Sequence, residues 1–190
     1  MSKKQYWFTS DTHFKHTNII KYCNRPFVTR DEMDEKIIEN WNSLIKPEDI
    51  VFFLGDFIFT YSKDVLIEYT QKLNGEKILI LGNHDHFSEK DYLEAGWTAV
   101  YNMFEQYIKN KHIVMCHYSM KQWNCSHNGS IMIFGHEHWK KQYELNHEAY
   151  KSLFMSEKTV NVCQDSNNFK PYSIDEIIKI CEDRPTNFFK

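Results

Sequence analysis

An α/β fold with its strands buried between helical layers is what this 190-residue sequence predicts. Short apolar runs rich in β-branched and aromatic residues alternate with segments of helical spacing along the chain. The composition is globular, 42% apolar and 26% charged with six glycines and four prolines, so no disordered tract is expected. Five of the six strand-like runs also stop at a cluster of Asp, Asn or His, the pattern expected where strand ends converge on a ligand.

The strand-like runs are Tyr6 to Thr9, Ile50 to Leu54, Ile78 to Leu81, Ile113 to Cys116, Ile131 to Phe134 and Thr159 to Val162. Between the first two, Met33, Ile37, Ile38, Trp41, Leu44 and Ile45 recur at helical spacing, and Pro47 ends the segment. Val65, Leu66, Tyr69 and Leu73 mark a second helix closed by Asn74-Gly75. Ser173-Ile174-Asp175-Glu176 reads as a capping box opening a last helix. With no repeat or linker, residues 1–190 read as one domain.

The apolar runs are too short to span a bilayer and no secretory signal segment is visible, so a cytoplasmic protein is expected. The five cysteines have no C-x-x-C spacing and read as reduced thiols. Net charge is −3, arginine occurs only at 25, 30 and 184, and no basic stripe for extended nucleic acid is present.

The polar clusters are Ser10-Asp11-Thr12-His13, Gly55-Asp56, Gly82-Asn83-His84-Asp85, His117 and Gly135-His136-Glu137-His138. Imidazoles, carboxylates and an amide without thiolate suit Mn, Fe, Zn, Co or Ni. They are too many for one catalytic ion with an open position, and two ions sharing a carboxylate would use the whole set. Asp56, on a central-type strand, is the natural bridge.

These motifs, in this order, resemble the calcineurin-like metallophosphoesterases, with Asp-x-His, Gly-Asp, Gly-Asn-His-Asp, a lone His and Gly-His-x-His matched from residue 11 to 138 and on through Asn161. Arg25-Pro26-Phe27, Trp41-Asn42 and residues 170–176 are similar to the small bacterial and phage members. The resemblance implies a four-layer α/β/β/α sandwich. It places one ion on Asp11, His13, Asp56 and His138, and the other on Asp56, Asn83, His117 and His136, with manganese favoured. A water between such ions loses its proton near neutral pH and attacks phosphorus in line. His84 is then the expected general acid and Asp85 its orienting partner.

Arg25 is expected to contact substrate phosphate, Asn161 to support the metal residues by hydrogen bonds, and Glu137 to point away from the ions. Trp41, Phe52, Phe53 and Phe57 are expected in the core, and packing is the expectation for Trp123 and Tyr118. His16, His86, His112, His127 and His147 are assigned to surface or loops, the first two close enough to the motifs to reach substrate. Residues 136–140 lack the second histidine of the zinc-protease pattern. Phe57-Ile58-Phe59 replaces the Asp-Arg-Gly continuation of the protein phosphatases, which argues against a phosphoprotein substrate. A phosphodiesterase or phosphatase for a small, nucleotide-like ester is the leading expectation, a nuclease on DNA or RNA the runner-up, and a non-catalytic scaffold the third.

Overall fold

A computed structural model describes residues 4–138 and 157–186. Two sheets stack on each other and are flanked by helices. The first has the order β4-β3-β2-β1-β9, from Ala99–Tyr101, Glu76–Ile80, Ile50–Phe53, Tyr6–Thr9 and Tyr172–Ser173. Its strands run parallel except β9, which pairs antiparallel with β1. The second has the order β5-β6-β7-β8, from Met103–Ile108, Lys111–Cys116, Ile131–Phe134 and Thr159–Asn161. Here β5 and β6 form an antiparallel hairpin while β6, β7 and β8 are parallel.

Alternation along β2 divides the core. Val51 and Phe53 face helices α1 (Thr17–Tyr22), α2 (Arg30–Leu44), α3 (Lys63–Gln71) and α4 (Glu89–Ala95). Phe52 and Leu54 turn to the other side, meeting Met115, Ile133 and Val160 of the second sheet together with Ile174 and Ile177 of α5 (Ile174–Cys181). A strand covered on both faces reads as an unbroken apolar run, as Ile-Val-Phe-Phe does. The outer face of the second sheet packs Val114, Cys116, Met132 and Phe134 against Trp123 and Met120. Trp41, Phe52, Phe53 and Phe57 are fully buried and Trp123 nearly so.

The capping box expected at Ser173 forms, and further helices carry caps of their own. Thr29 and Ser173 close reciprocal capping boxes with Glu32 and Glu176, and Ser62 caps α3. Five elements lacked a clear sequence signal: the short α1 and α4, the three-residue β4, the two-residue β9 and the edge strand β5, in which Glu105 and Gln106 interrupt the apolar pattern. His112 lies on β6, its Nε2 2.8 Å from Glu105 of β5, and not in a loop. His127 is exposed in a 3₁₀ turn, and His147 lies outside the described residues. No helix among the described residues is long and apolar enough to cross a membrane.

Candidate metal centre

The site forms where the C-terminal ends of β1, β2, β3, β6 and β7 meet. The segments after β1 and β2 continue side by side beyond the sheet. Asp11 N donates to Gly55 O, His13 N to Asp56 O, Phe14 N to Phe57 O and Phe59 N back to Phe14 O. On the other side, Ser10 N donates to Val162 O and Gln164 N to Ser10 O, tying the first sheet to the segment after β8. The loops that carry the candidate ligands are thus held by backbone bonds, which leaves their side chains to the site.

Such crowding is possible only with glycine at the junctions. A Cβ on Gly82 would lie 2.6 Å from Asp56 N, and one on Gly55 2.6 Å from His117 Nδ1, where Gly55 also has φ +90°. Asp11, His13, Asp56 and His136 themselves adopt positive φ, a strained backbone for residues with side chains. Four candidate ligands held in this left-handed region fit a functional site, where such backbone strain is often kept.

All seven candidate ligands come together. Asp11, His13 and His138 offer donor atoms mutually within 4.8 Å, and so do Asp56, His117 and His136. Asp56 Oδ2 lies between the two groups, 3.5 Å from His13 Nε2 and 3.7 Å from His117 Nε2. Its other oxygen accepts from His84 N at 2.8 Å. Asn83 Oδ1 stands 3.1 Å from His117 Nε2, which is 3.2 Å from His136 Nδ1.

The donor chemistry fits cations. His117 Nδ1 donates to Leu54 O at 2.6 Å, which turns Nε2 toward the carboxylate of Asp56 and the amide oxygen of Asn83, where it could ligate a cation. His13 Nε2 and His138 Nε2 face each other at 3.1 Å, and the buried Asp11 Oδ1 beside them has no hydrogen-bond partner. Burial, then the charge of Asp11, pushes the Asp56 pKa up to about 6. Burial also holds His13 well below the ordinary histidine value, with neighbouring His138 and Arg25 adding to it. Burial opposes charge on His138 too, but Cys163 and Asp165 outweigh it and raise its pKa. A bound cation would displace the His138 proton from Nε2, and imidazole lone pairs and carboxylates would then converge on two points, as a pair of divalent ions requires.

Several expectations are corrected. Arg25 does not reach toward substrate. Its guanidinium is buried, Nε and NH2 bonded to the Asp165 carboxylate at 3.0 and 2.9 Å, with NH2 and NH1 also donating to Asp11 O and Thr12 O at 2.7 and 3.0 Å. A planar fork surrounded by acceptors has no donor left for a ligand. Asp85 does not orient His84. Its carboxylate accepts from the backbone N–H of Asp56, Phe57 and Gly82, clamping two ligand loops together. Tyr118 is not packed away but stands 47% exposed, its hydroxyl 3.5 Å from Asn83 Oδ1. His86 bonds the carbonyls of His84 and Thr60.

Asn161 donates to Glu137 O at 2.6 Å and accepts from Cys163 N, steadying the segment between His136 and His138. Asp165 was not foreseen. Its Oδ2 accepts from His138 Nδ1 at 2.8 Å while pairing with Arg25. Burial would raise its pKa, yet His138 and Arg25 hold it well below the usual carboxylate range. The sixth apolar run, followed by Cys163-Gln164-Asp165, was the signal available. Cys23 also lies in this cluster. With Asp165 committed to Arg25 and the Cys163 thiol kept protonated by burial, the group serves as a hydrogen-bonded support under His138.

Two stacked sheets flanked by helices, with paired His and carboxylate clusters at their strand ends, define a metal-dependent phosphoesterase fold. Residues 5–168 match the family model for calcineurin-like phosphoesterases, and the chain belongs to that family. Its members typically bind two divalent metals. An uncharacterized protein of Methanocaldococcus jannaschii is 38% identical over 188 residues, 96% of this chain and 94% of that protein. The gene 66 protein of Mycobacterium phage D29 is 28% identical over 160 residues, 70% of this chain and 77% of its own length. Among solved structures, a protein of unknown function from Aquifex aeolicus superposes with TM-score 0.73 at 27% identity, covering 94% of this chain and 100% of its own. An archaeal phosphodiesterase shares the fold at TM-score 0.50 and 15% identity, over 90% of this chain and 98% of that one.

Proposed function

We propose that the protein is a metal-dependent phosphodiesterase acting on a small, nucleotide-like ester. The observation that carries this reading is the position of Asp56 Oδ2 between two clusters of metal-binding side chains. In it, Asp11, His13, Asp56 and His138 hold one ion, and Asp56, Asn83, His117 and His136 the other. Mn is the favoured occupant, with Fe, Zn, Co and Ni compatible with the same ligands. Bound ions would neutralise phosphate charge and activate a water as nucleophile.

The chain's own residues supply orientation and a proton. His117 is fixed by Leu54 O and His138 by Asp165, so both present Nε2 to the centre. In this reading His84, half-buried with its ring 5.4 Å from that of His13, protonates the leaving oxygen, and its backbone N–H steadies Asp56. Arg25, beside the Asp11 loop, is committed to Asp165 and to the carbonyls of Asp11 and Thr12, so it is not available to grip a doubly charged terminal phosphate. That favours a singly charged diester over a monoester. A nuclease acting on DNA or RNA shares this chemistry and is the alternative reading, supported by the aromatic rings exposed beside the centre. A cytoplasmic location fits five free thiols.

Hydrolysis of bis(p-nitrophenyl) phosphate against the monoester, with Mn, Fe, Co, Ni or Zn, tests the proposal. The diester should turn over faster. No turnover of either ester despite bound metal overturns it. Cyclic nucleotides, nucleoside monophosphates and short oligonucleotides then define the substrate.

A further inference from the structure

An aromatic surface adjoins the metal centre on the side of His84. The paired segments after β1 and β2 that carry Asp11, His13 and Asp56 continue to His16 and Phe59. There the backbone bond from Phe59 N to Phe14 O, 2.8 Å, fixes both in register. The His16 and Phe59 rings stack with centroids 4.3 Å apart and planes 16° apart. Phe57 and Ile58 enter the core, but Phe59 remains 42% exposed, and Tyr22 at the end of α1 stands edge-on to His16 at 6.2 Å, 67% exposed. The His84 ring adjoins both this surface and the candidate ligands, 6.1 Å from Phe59, 6.4 Å from His16 and 5.4 Å from His13. Single exposed aromatics are ordinary, whereas a rigid group of them beside a reactive centre marks a binding surface.

We infer that Phe59, with His16 beneath it, stacks the base of the departing nucleoside, so that the leaving group of this diesterase is a nucleoside. The inference rests on the phosphodiesterase reading and adds the identity of one substituent. His84 fixes the side: the group it protonates must leave toward it, and the aromatic surface lies there. Water adds to phosphorus and releases one proton to solvent, the bond from phosphorus to the nucleoside oxygen breaks, the proton from His84 goes to that oxygen, and His84 regains a proton from solvent. His16, stacked on Phe59, has its ring centroid 5.5 Å from that of His13, which puts the surface within the span of one nucleotide from the phosphate position. Stacking is tolerant of base identity, so no single base is implied.

Adenosine 5′-phosphate methyl ester tests this within one molecule, because either alkoxide can leave. The manganese-loaded wild type should release adenosine and methyl phosphate over methanol and adenosine monophosphate by roughly tenfold or more. Phe59→Ala and Phe59→Leu should both erase the preference, since Leu keeps apolar volume but not the ring, and Phe59→Trp should keep it. A wild-type ratio near one, or a ratio unmoved by Phe59→Ala, overturns the assignment. If neither product forms with any metal, the diesterase reading fails separately. Saturation transfer from protein to the adenine protons of the same ester then decides: present in wild type and lost in Phe59→Ala it upholds the stacking surface, and absent in wild type it overturns it.

Discussion

Asp165 accepts a hydrogen bond from His138 Nδ1 at 2.8 Å and holds Arg25 through the same carboxylate. The residues are far apart in sequence, and Arg25 extends the link to the carbonyls of Asp11 and Thr12. One buried ion pair therefore sets the orientation of His138 and the path of the loop that carries Asp11 and His13. Asp165→Asn should weaken metal binding about 10–100-fold, as loss of a ligand's supporting partner does elsewhere. Calorimetric titration with manganese measures this. A lowered unfolding temperature with unchanged affinity would leave Asp165 a purely structural role. Arg25→Met strands the Asp165 carboxylate and should cost about 3–5 kcal/mol, read from urea unfolding of the metal-free protein.

That network shows where the sequence was legible. Asp11, Asp56, Asn83, His117, His136 and His138 each follow an apolar run, so strand ends alone indicated that they gather. Asp165 follows such a run too, but no histidine or glycine marks it, and its partner Arg25 lies in an irregular loop at the other end of the chain. Asp85 was misread because adjacency in sequence suggested His84 as its partner. The turn instead directs its carboxylate back to three backbone N–H groups. Strands β4 and β9 are too short to show a period, and the polar residues of β5 belong to an edge where one face is wet.

Asp56→Asn should reduce bound metal from two ions to one or fewer per chain, measured by elemental analysis of the purified protein. An amide can still accept from His84 N through Oδ1, so the loop persists. The atom replacing Oδ2 is then an NH2 facing His13 and His117, and it cannot bridge. Two ions retained per chain would remove Asp56 as the bridge.

Gly135→Ala should impair the centre without replacing any candidate ligand. The added Cβ would lie 2.7 Å from Asp11 Oδ2 and 2.5 Å from Ser10 Oγ, so the Asp11 carboxylate must move. Overpacking of this kind costs about 1–3 kcal/mol. The gain in unfolding temperature on adding manganese should also shrink relative to wild type. An undiminished metal-induced gain would show that Asp11 has room to adjust.

His84→Ala should lower turnover about 10²–10⁴-fold on esters with poor leaving groups while leaving metal content intact. The contact it makes to Asp56 is through backbone N–H, which alanine keeps. The loss should be far smaller for a p-nitrophenyl ester, whose leaving group needs no proton. Equal losses on both substrates would assign His84 to positioning instead of acid catalysis.

Asp34 gives the fold a pH dependence independent of the metals. Its side chain lies on the buried face of α2, Oδ2 accepting from Lys15 N and the Tyr69 hydroxyl while Oδ1 has no hydrogen-bond partner. Burial outweighs those two bonds and pushes its pKa from 3.8 up to about 6. Between those values the folded chain holds a proton that the unfolded chain has released, so this contribution is greatest below pH 4 and declines as pH rises through 6. Asp34→Asn does not titrate. Relative to that variant, wild type should lose up to about 3 kcal/mol between pH 4 and 7.5. Urea unfolding of both proteins across that range in chelating buffer measures the gap. A gap that stays constant with pH would show that Asp34 remains ionised in the folded chain throughout.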